Sequence, residues 1–189
     1  MFYRLVFAIA FVALVAIGPA TAQTVSDGAK KAEALAAAGK YIEAIAALDG
    51  AADVLWQKAP LVCRRVLWVA EKARGFGEYN PRETNVFKSG TDMLAFAEPL
   101  GFGWRQSGDL WRTDMVADFI IRGKDGKELF RQNDFGKFEI DSRARNREFM
   151  LNLSYKVTGA SPGDYIADTH LRDKVTGKEG TCSLPFTIK

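Results

Sequence analysis

The chain has 189 residues, with 26 Lys and Arg against 23 Asp and Glu for a net charge of +3, and 12% of its residues are aromatic within a 48% hydrophobic content. That is ample apolar material for a real core, in a length that holds one domain and a small extension. The mild positive charge excludes a general nucleic-acid binder.

Residues 1–22 carry the three parts of a cleavable secretory signal. Arg4 supplies the positive start, 5–17 is an unbroken run of apolar and small residues, Pro19 ends any helix, and Ala20-Thr21-Ala22 is the small-x-small pattern that a signal peptidase accepts. The run falls short of the roughly 20 apolar residues that span a bilayer, so cleavage is favoured over an uncleaved anchor. No cysteine sits at the cleavage point and no twin-arginine pair precedes the run, so a Sec-type route is expected. Gln23 is then the first residue of a mature, periplasmic or secreted chain with no stable membrane insertion.

Residues 27–56 read as helix within a helical hairpin over 23–58. Tyr41, Ala44, Ile45, Leu48, Ala51, Ala52, Leu55 and Trp56 recur at helical spacing as one apolar stripe, and Gly39 supplies the turn. Gly39-Lys40-Tyr41 with Ala44, Leu48 and Ala51 resembles the second half of a tetratricopeptide repeat. No second copy follows, and one repeat cannot bury its own face, so a hairpin docked on the next domain is expected instead.

From Pro60 the period changes from 3.6 to 2. Strands are expected over 62–72, 93–98, 115–122, 127–132, 149–157, 164–172 and 181–188, with a tight hairpin signal at Lys124-Asp125-Gly126 and a turn at Thr176-Gly177. About seven strands with turn signals between them predict an immunoglobulin-like antiparallel β-sandwich over 60–189.

Ser161-Pro162-Gly163-Asp164-Tyr165, with Ala167 two residues on, resembles the tyrosine corner of immunoglobulin-like domains. Ala167 stands where antibody domains place a cysteine, so their inter-sheet disulfide is absent. The segment from Pro162 to Ile188 resembles the closing hairpin of exported bacterial sandwich domains, and Gly75-Phe76-Gly77-x-Tyr79, Asn85-Val86-Phe87 and Glu98-Pro99 resemble segments of exported bacterial proteins. That resemblance implies fold and compartment, and no activity.

Cys63 and Cys182 fall in the first and last expected strands. An even count in an oxidising compartment favours a disulfide between them over two buried thiols. His170 is the one histidine. Asp168 and Arg172 flank it at i±2, which invites a general-base role, but no Gly-x-Ser-x-Gly elbow accompanies it, and a solvated polar strand face is the simpler expectation. No metal-ligand spacing and no nucleotide fingerprint occurs, so no metal and no cofactor is expected.

Two glycine-rich loops carry aromatics beside arginine: Phe76, Tyr79 and Arg82 in one, Phe102, Trp104, Arg105 and Trp111 in the other. Such rings either form a recognition surface or plug the end of the sandwich. Arg143, Arg145 and Arg147 would lie on one face of an extended segment, there to meet an anionic envelope component, to guard a sheet edge, or to be neutralised by Glu139 and Asp141. These features predict a non-catalytic binding or accessory module for a protein or cell-envelope partner. The alternatives are a hydrolase using His170 and Asp168, or a purely structural envelope subunit. Intact-mass measurement on a periplasmic extract is expected to return a chain beginning at Gln23; a chain retaining residues 1–22 would identify that segment as an anchor.

Overall fold

The computed structural model describes residues 24–189, so the expected signal segment lies outside the described residues. Two helices come first, α1 (Val25–Ala37) and α2 (Tyr41–Lys58). Nine strands follow: β1 (Val62–Trp68), β2 (Val86–Phe87), β3 (Asp92–Leu100), β4 (Arg105–Ser107), β5 (Leu110–Gly123), β6 (Glu128–Ser142), β7 (Leu151–Lys156), β8 (Gly163–Asp173) and β9 (Glu179–Ile188). The seven expected strands are all present, and β2 and β4 are short additions. The chain forms two compact units that meet in sequence between Ala51 and Ala52, inside α2.

In the first unit, Thr24 caps α1 reciprocally: its hydroxyl accepts from the Asp27 N–H, and the Asp27 carboxylate accepts from the Thr24 N–H. Gly39 makes the turn with φ +73°, a conformation costly to a residue with a Cβ. The hairpin closes through small residues, with Ala32, Ala44 and Ala47 buried together and Leu35 and Ala36 packed against them. The expected stripe therefore splits. Its alanines are inside, while Tyr41, Ile45 and Leu48 remain exposed.

The second unit is a β-sandwich of two unequal sheets. The smaller has the order β1-β3-β7; the larger has β2-β9-β8-β5, with β4 folded back on the start of β5. Residues 115–122 of β5 pair with β8 on one side and with β6 on the other, so β6 is the outer strand. Side chains alternate across each strand, which places Met115, Ala117, Phe119, Leu151, Leu153, Tyr155, Leu171, Cys182, Leu184 and Phe186 in one core.

Specific contacts fix how the sheets lie on each other. A disulfide joins Cys63 on β1 to Cys182 on β9, with Cα atoms 5.4 Å apart. The Trp68 indole donates to the Pro185 carbonyl at 2.8 Å, which also sets β1 over β9. Tyr155 on β7 packs on Phe119 of β5, with ring centroids 4.5 Å apart. The smaller sheet thus covers β9, β8 and β5 in turn.

The end of α2 is tied into the same core. Trp56 donates to the Phe102 carbonyl at 2.7 Å and stacks on Trp104. The Lys178 ammonium donates to the carbonyls of Gln57 and Ala59 at 2.7 Å and of Gly101 at 2.9 Å. It satisfies acceptors that the helix leaves open at its C-terminus.

The structure departs from expectation in the sixth strand. β6 runs to Ser142 rather than ending at Gln132, because a bulge absorbs the Asn133-Asp134 pair, with Asp134 at φ +51°. The three arginines then lie in a connection and not on a strand. Arg143 pairs with Asp109 at 2.6 Å, and Arg145 and Arg147 reach Asp53 at 2.8 and 3.8 Å.

The disulfide closes a loop of 119 residues. Replacing both cysteines by alanine is expected to lower the unfolding free energy by up to about 4–5 kcal/mol, read as a lower urea midpoint. Two freely alkylated thiols in the unreduced, denatured wild type would contradict the bond.

Candidate functional site

The two aromatic loops do not converge on one surface. The first folds back on the outer face of the smaller sheet, where Asn152 on β7 accepts from the Ala73 N–H and donates to its carbonyl. Tyr79 packs on the fully buried Phe96, with centroids 4.4 Å apart, and its hydroxyl accepts from Arg65. Arg64 lies over the Phe76 ring and Arg82 over Phe87, so both arginines are held by cation–π contacts. The second loop serves the inner core. Phe102 is 1% exposed and meets Trp56 and Trp104 edge-on and Phe149 at a tilt. Trp111 is half-buried beneath the Arg145 guanidinium, and Arg105 is exposed.

The polar outer face of the larger sheet is a charge network. Asp168 is buried and accepts two bonds from Arg122 and one from the Ser183 hydroxyl. His170 finds different partners: its Nε2 lies 3.3 Å from a Glu179 oxygen and its Nδ1 3.2 Å from the Thr181 hydroxyl. The Asp168–His170 pair suggested by i±2 spacing is therefore not formed. Neighbours across the sheet satisfy each group better than neighbours along the strand.

Asp118 lies beside them, also buried. Burial alone would raise its pKa, but the Asp134 N–H and the Arg172 guanidinium both bond its carboxylate and hold it below the usual aspartate value, with His170 adding a smaller effect. Arg131 stands 3.9 Å from its other oxygen. Among the described residues, no cluster of three or more His, Cys, Asp or Glu could hold a metal ion, and no helix is long and apolar enough to cross a membrane.

The inner face of β6 was missed by sequence reasoning. Its register with β5 pairs Phe130 with Ile121, Phe138 with Met115 and Ile140 with Thr113, all inward-facing positions. Yet among the described residues no strand of the smaller sheet lies over it. Phe135 reaches Tyr155 and stacks on it at 5.5 Å, and Phe138 also packs against the core, so the exposed apolar side chains are those toward the two ends of the strand. Phe130 is 47% exposed, Ile140 43% and Leu129 55%. A second register shift makes Leu129 a bulge residue, and Leu129 and Phe130 together line a cavity of about 420 Å³ with Phe119, Ile121, Val157 and Tyr165. On the far rim of that cavity, the Tyr165 hydroxyl donates to the Ser161 carbonyl at 2.8 Å and steadies the β7–β8 loop. Of the loop aromatics, Trp111 alone heads the β5 row that carries this open face.

No protein-family model and no curated protein sequence matches the chain. Solved structures similar to it include the PKD domain of an M14-like peptidase from a Thermoplasmatales archaeon, with 12% identity and a TM-score of 0.36 over 69% of this chain and 96% of that one. The sporulation control protein of Bacillus subtilis gives 10% identity and a TM-score of 0.36 over 69% of this chain, which spans only 50% of that one. A conjugative transposon lipoprotein from Bacteroides eggerthii gives 13% identity and a TM-score of 0.32, over 67% of this chain and 96% of that one. At such scores the likeness adds nothing to what the strands themselves define.

The depressed Asp118 pKa makes stability depend on pH. Its contribution is present above the unfolded aspartate value, about 4, and is lost as pH falls through the lower folded value. Asp118→Asn is therefore expected to melt earlier than wild type at pH 7, with the gap narrowing as the buffer is taken well below pH 4. A gap independent of pH would show that the carboxylate's charge is not what matters.

Proposed function

We propose that this chain is an exported, non-catalytic binding or accessory module, and that it meets a protein or cell-envelope partner through the open side of its sandwich. The observation that carries this is the exposure of apolar side chains on β6, Leu129 and Phe130 at one end and Ile140 at the other, on a strand over which no strand of the smaller sheet lies. Leu129 and Phe130 together line an open cavity of about 420 Å³ that is continuous with the core residues Phe119 and Ile121, and an exposed apolar patch joined to the core suits a contact surface. Export is supported by the signal-like 1–22 segment, and a disulfide suits an oxidising compartment.

Phe102 and Trp104 contribute to such a module by holding the core and the end of α2 together. Phe76, Tyr79 and Arg82 lie on the outer face of the other sheet and would form, at most, a separate contact. The hydrolase alternative loses its motive, since Asp168 is committed to Arg122 and Ser183 rather than to His170.

A photoreactive amino acid placed at Phe130 or Ile140 in the full chain, in intact envelopes, is expected to give a discrete crosslinked adduct. The same group at Thr181, on the opposite face of the larger sheet, should give none. Adducts at Thr181 alone, or at no position, would remove the open side from consideration.

A further inference from the structure

We infer that the cleft lined by Arg82, Lys88 and Lys189 is a binding site for a phosphate ester, whose phosphate these three cations hold. The site goes beyond the role proposed above, since the cleft shares no lining residue with the cavity beside β6.

Arg82 differs from the other arginines in how it is held. Among the described residues, only Arg82 and Arg105 form no ion pair; Arg64, Arg112, Arg122 and Arg172, for example, all meet a carboxylate. Arg105 is exposed on β4 with no ring beneath it, whereas Arg82 is fixed in place. Its guanidinium carbon stands 4.6 Å from the Phe87 ring centroid, one of its terminal NH2 groups donates to the Val86 carbonyl at 3.2 Å, and its backbone N–H donates to the Trp68 carbonyl at 2.9 Å. Its other guanidinium N–H groups meet no protein acceptor among the described residues. A planar fork laid on a ring, with donors to spare, is organised in advance to take two oxygens of one anion.

Two lysines join it around a cleft of about 590 Å³. β2 runs parallel to the end of β9, with Phe87 opposite Ile188, so Lys88 and Lys189 leave the sheet side by side. The Lys189 N–H donates to the Phe87 carbonyl at 3.0 Å, and the Thr91 N–H and hydroxyl both donate to the Lys88 carbonyl, which fixes the backbone under both ammonium groups. Neither lysine pairs with a carboxylate among the described residues. Like charges on neighbouring strands repel, and an anion between them would turn that cost into attraction. Asp92 also lines the cleft, but its carboxylate lies 3.4 Å from the Lys156 ammonium, so the excess charge of the cleft stays positive.

The chemistry of the ligand follows from these groups. A phosphate monoester carries a charge of about −1.5 to −2 at neutral pH on three acceptor oxygens, which matches a cluster of three cations better than the single charge of a carboxylate. The cleft has the size of sites that take small organic ligands, so the ester's organic part enters with the phosphate. The hydroxyls of Thr84 and Thr91 line the same cleft and can bond a hydroxyl-bearing body. A sugar phosphate and the phosphorylated headgroup of an envelope lipid share this chemistry.

The test titrates the full oxidised chain with glucose 6-phosphate at low ionic strength, where screening is weak, and follows backbone amides by NMR. Binding is expected below about 1 mM, with the largest shifts at residues 84–92 and 189. Glucose should not bind, and glucuronate should bind at least about fivefold more weakly. The K88A/K189A double variant should bind at least about tenfold more weakly with an unchanged melting temperature, because both side chains are exposed. K127A/K174A removes the same charge from exposed positions elsewhere and should keep wild-type affinity. Phosphatidylcholine vesicles containing phosphatidic acid separate the two sources. Co-sedimentation that K88A/K189A abolishes would assign the phosphate to a lipid headgroup, and glucose 6-phosphate binding without co-sedimentation would assign it to a soluble ester. Binding of neither probe, glucose or glucuronate binding as tightly as glucose 6-phosphate, shifts spread over the whole surface, or an equal loss in K127A/K174A would each overturn the inference.

Discussion

Two sheets of unequal width must share one core, and most of this molecule follows from how that mismatch is distributed. At one side the sheets are closed on each other by the Cys63–Cys182 bond and by Trp68, whose ring meets Phe87, Tyr155 and Phe186 while its N–H reaches the Pro185 carbonyl. With β1 pinned over β9, the three-stranded sheet has no freedom to slide toward β6. The uncovered width therefore appears entirely at the other side, where β6 overhangs.

The same closure explains the crowding at the end of the sandwich that receives α2. β9 and β1 approach so closely there that a Cβ on Gly180 would stand 2.1 Å from the Leu61 carbonyl oxygen. The turn before β9 is built on Asp173, which is 1% exposed and accepts bonds from the Gly103 and Val175 N–H groups and the Thr176 hydroxyl. One buried carboxylate thus joins the second aromatic loop to the β8–β9 turn. Lys178, five residues beyond Asp173 in the same turn region, joins that turn to the last carbonyls of α2. A buried polar group without partners costs several kcal/mol, so this end is held by groups that can be satisfied only when all of its segments are in place.

The outer face of the larger sheet follows a related logic. Asp118 and Asp168 are buried by the guanidinium groups that lie over them, not by another layer of structure. The network gives a polar face whose buried side-chain atoms, among the described residues, all find partners except the Arg172 Nε, while β6 exposes apolar side chains on the other face.

Much of the fold was legible in the sequence because alternation and turn chemistry are local. The seven main strands, the hairpin at Gly126 and the inward aim of Cys182 all follow from period 2 and from residues that tolerate a turn. β6 was truncated because its inward row is interrupted: Phe130, Phe138 and Ile140 share one parity, but Gln132, Gly136 and the two extra residues of the Asn133-Asp134 bulge break the apolar alternation between them. The aromatic loops were ambiguous for a different reason. A glycine-flanked ring looks the same whether it projects or plugs, and Trp56, which decides the matter for Phe102 and Trp104, comes from another element 46 residues away from Phe102.

By itself, then, the sequence determined the class of structure: a helical hairpin, a strand-rich domain, and two cysteines spaced to tie its ends. Tertiary structure alone decided which strands face each other, since pairing across a core depends on contacts between residues far apart in the chain. It separated Asp168 from His170 by giving each a better partner across the sheet. It also left one face of β6 without a cover, because the width of a sheet is a property of all its strands together and is written in none of them singly.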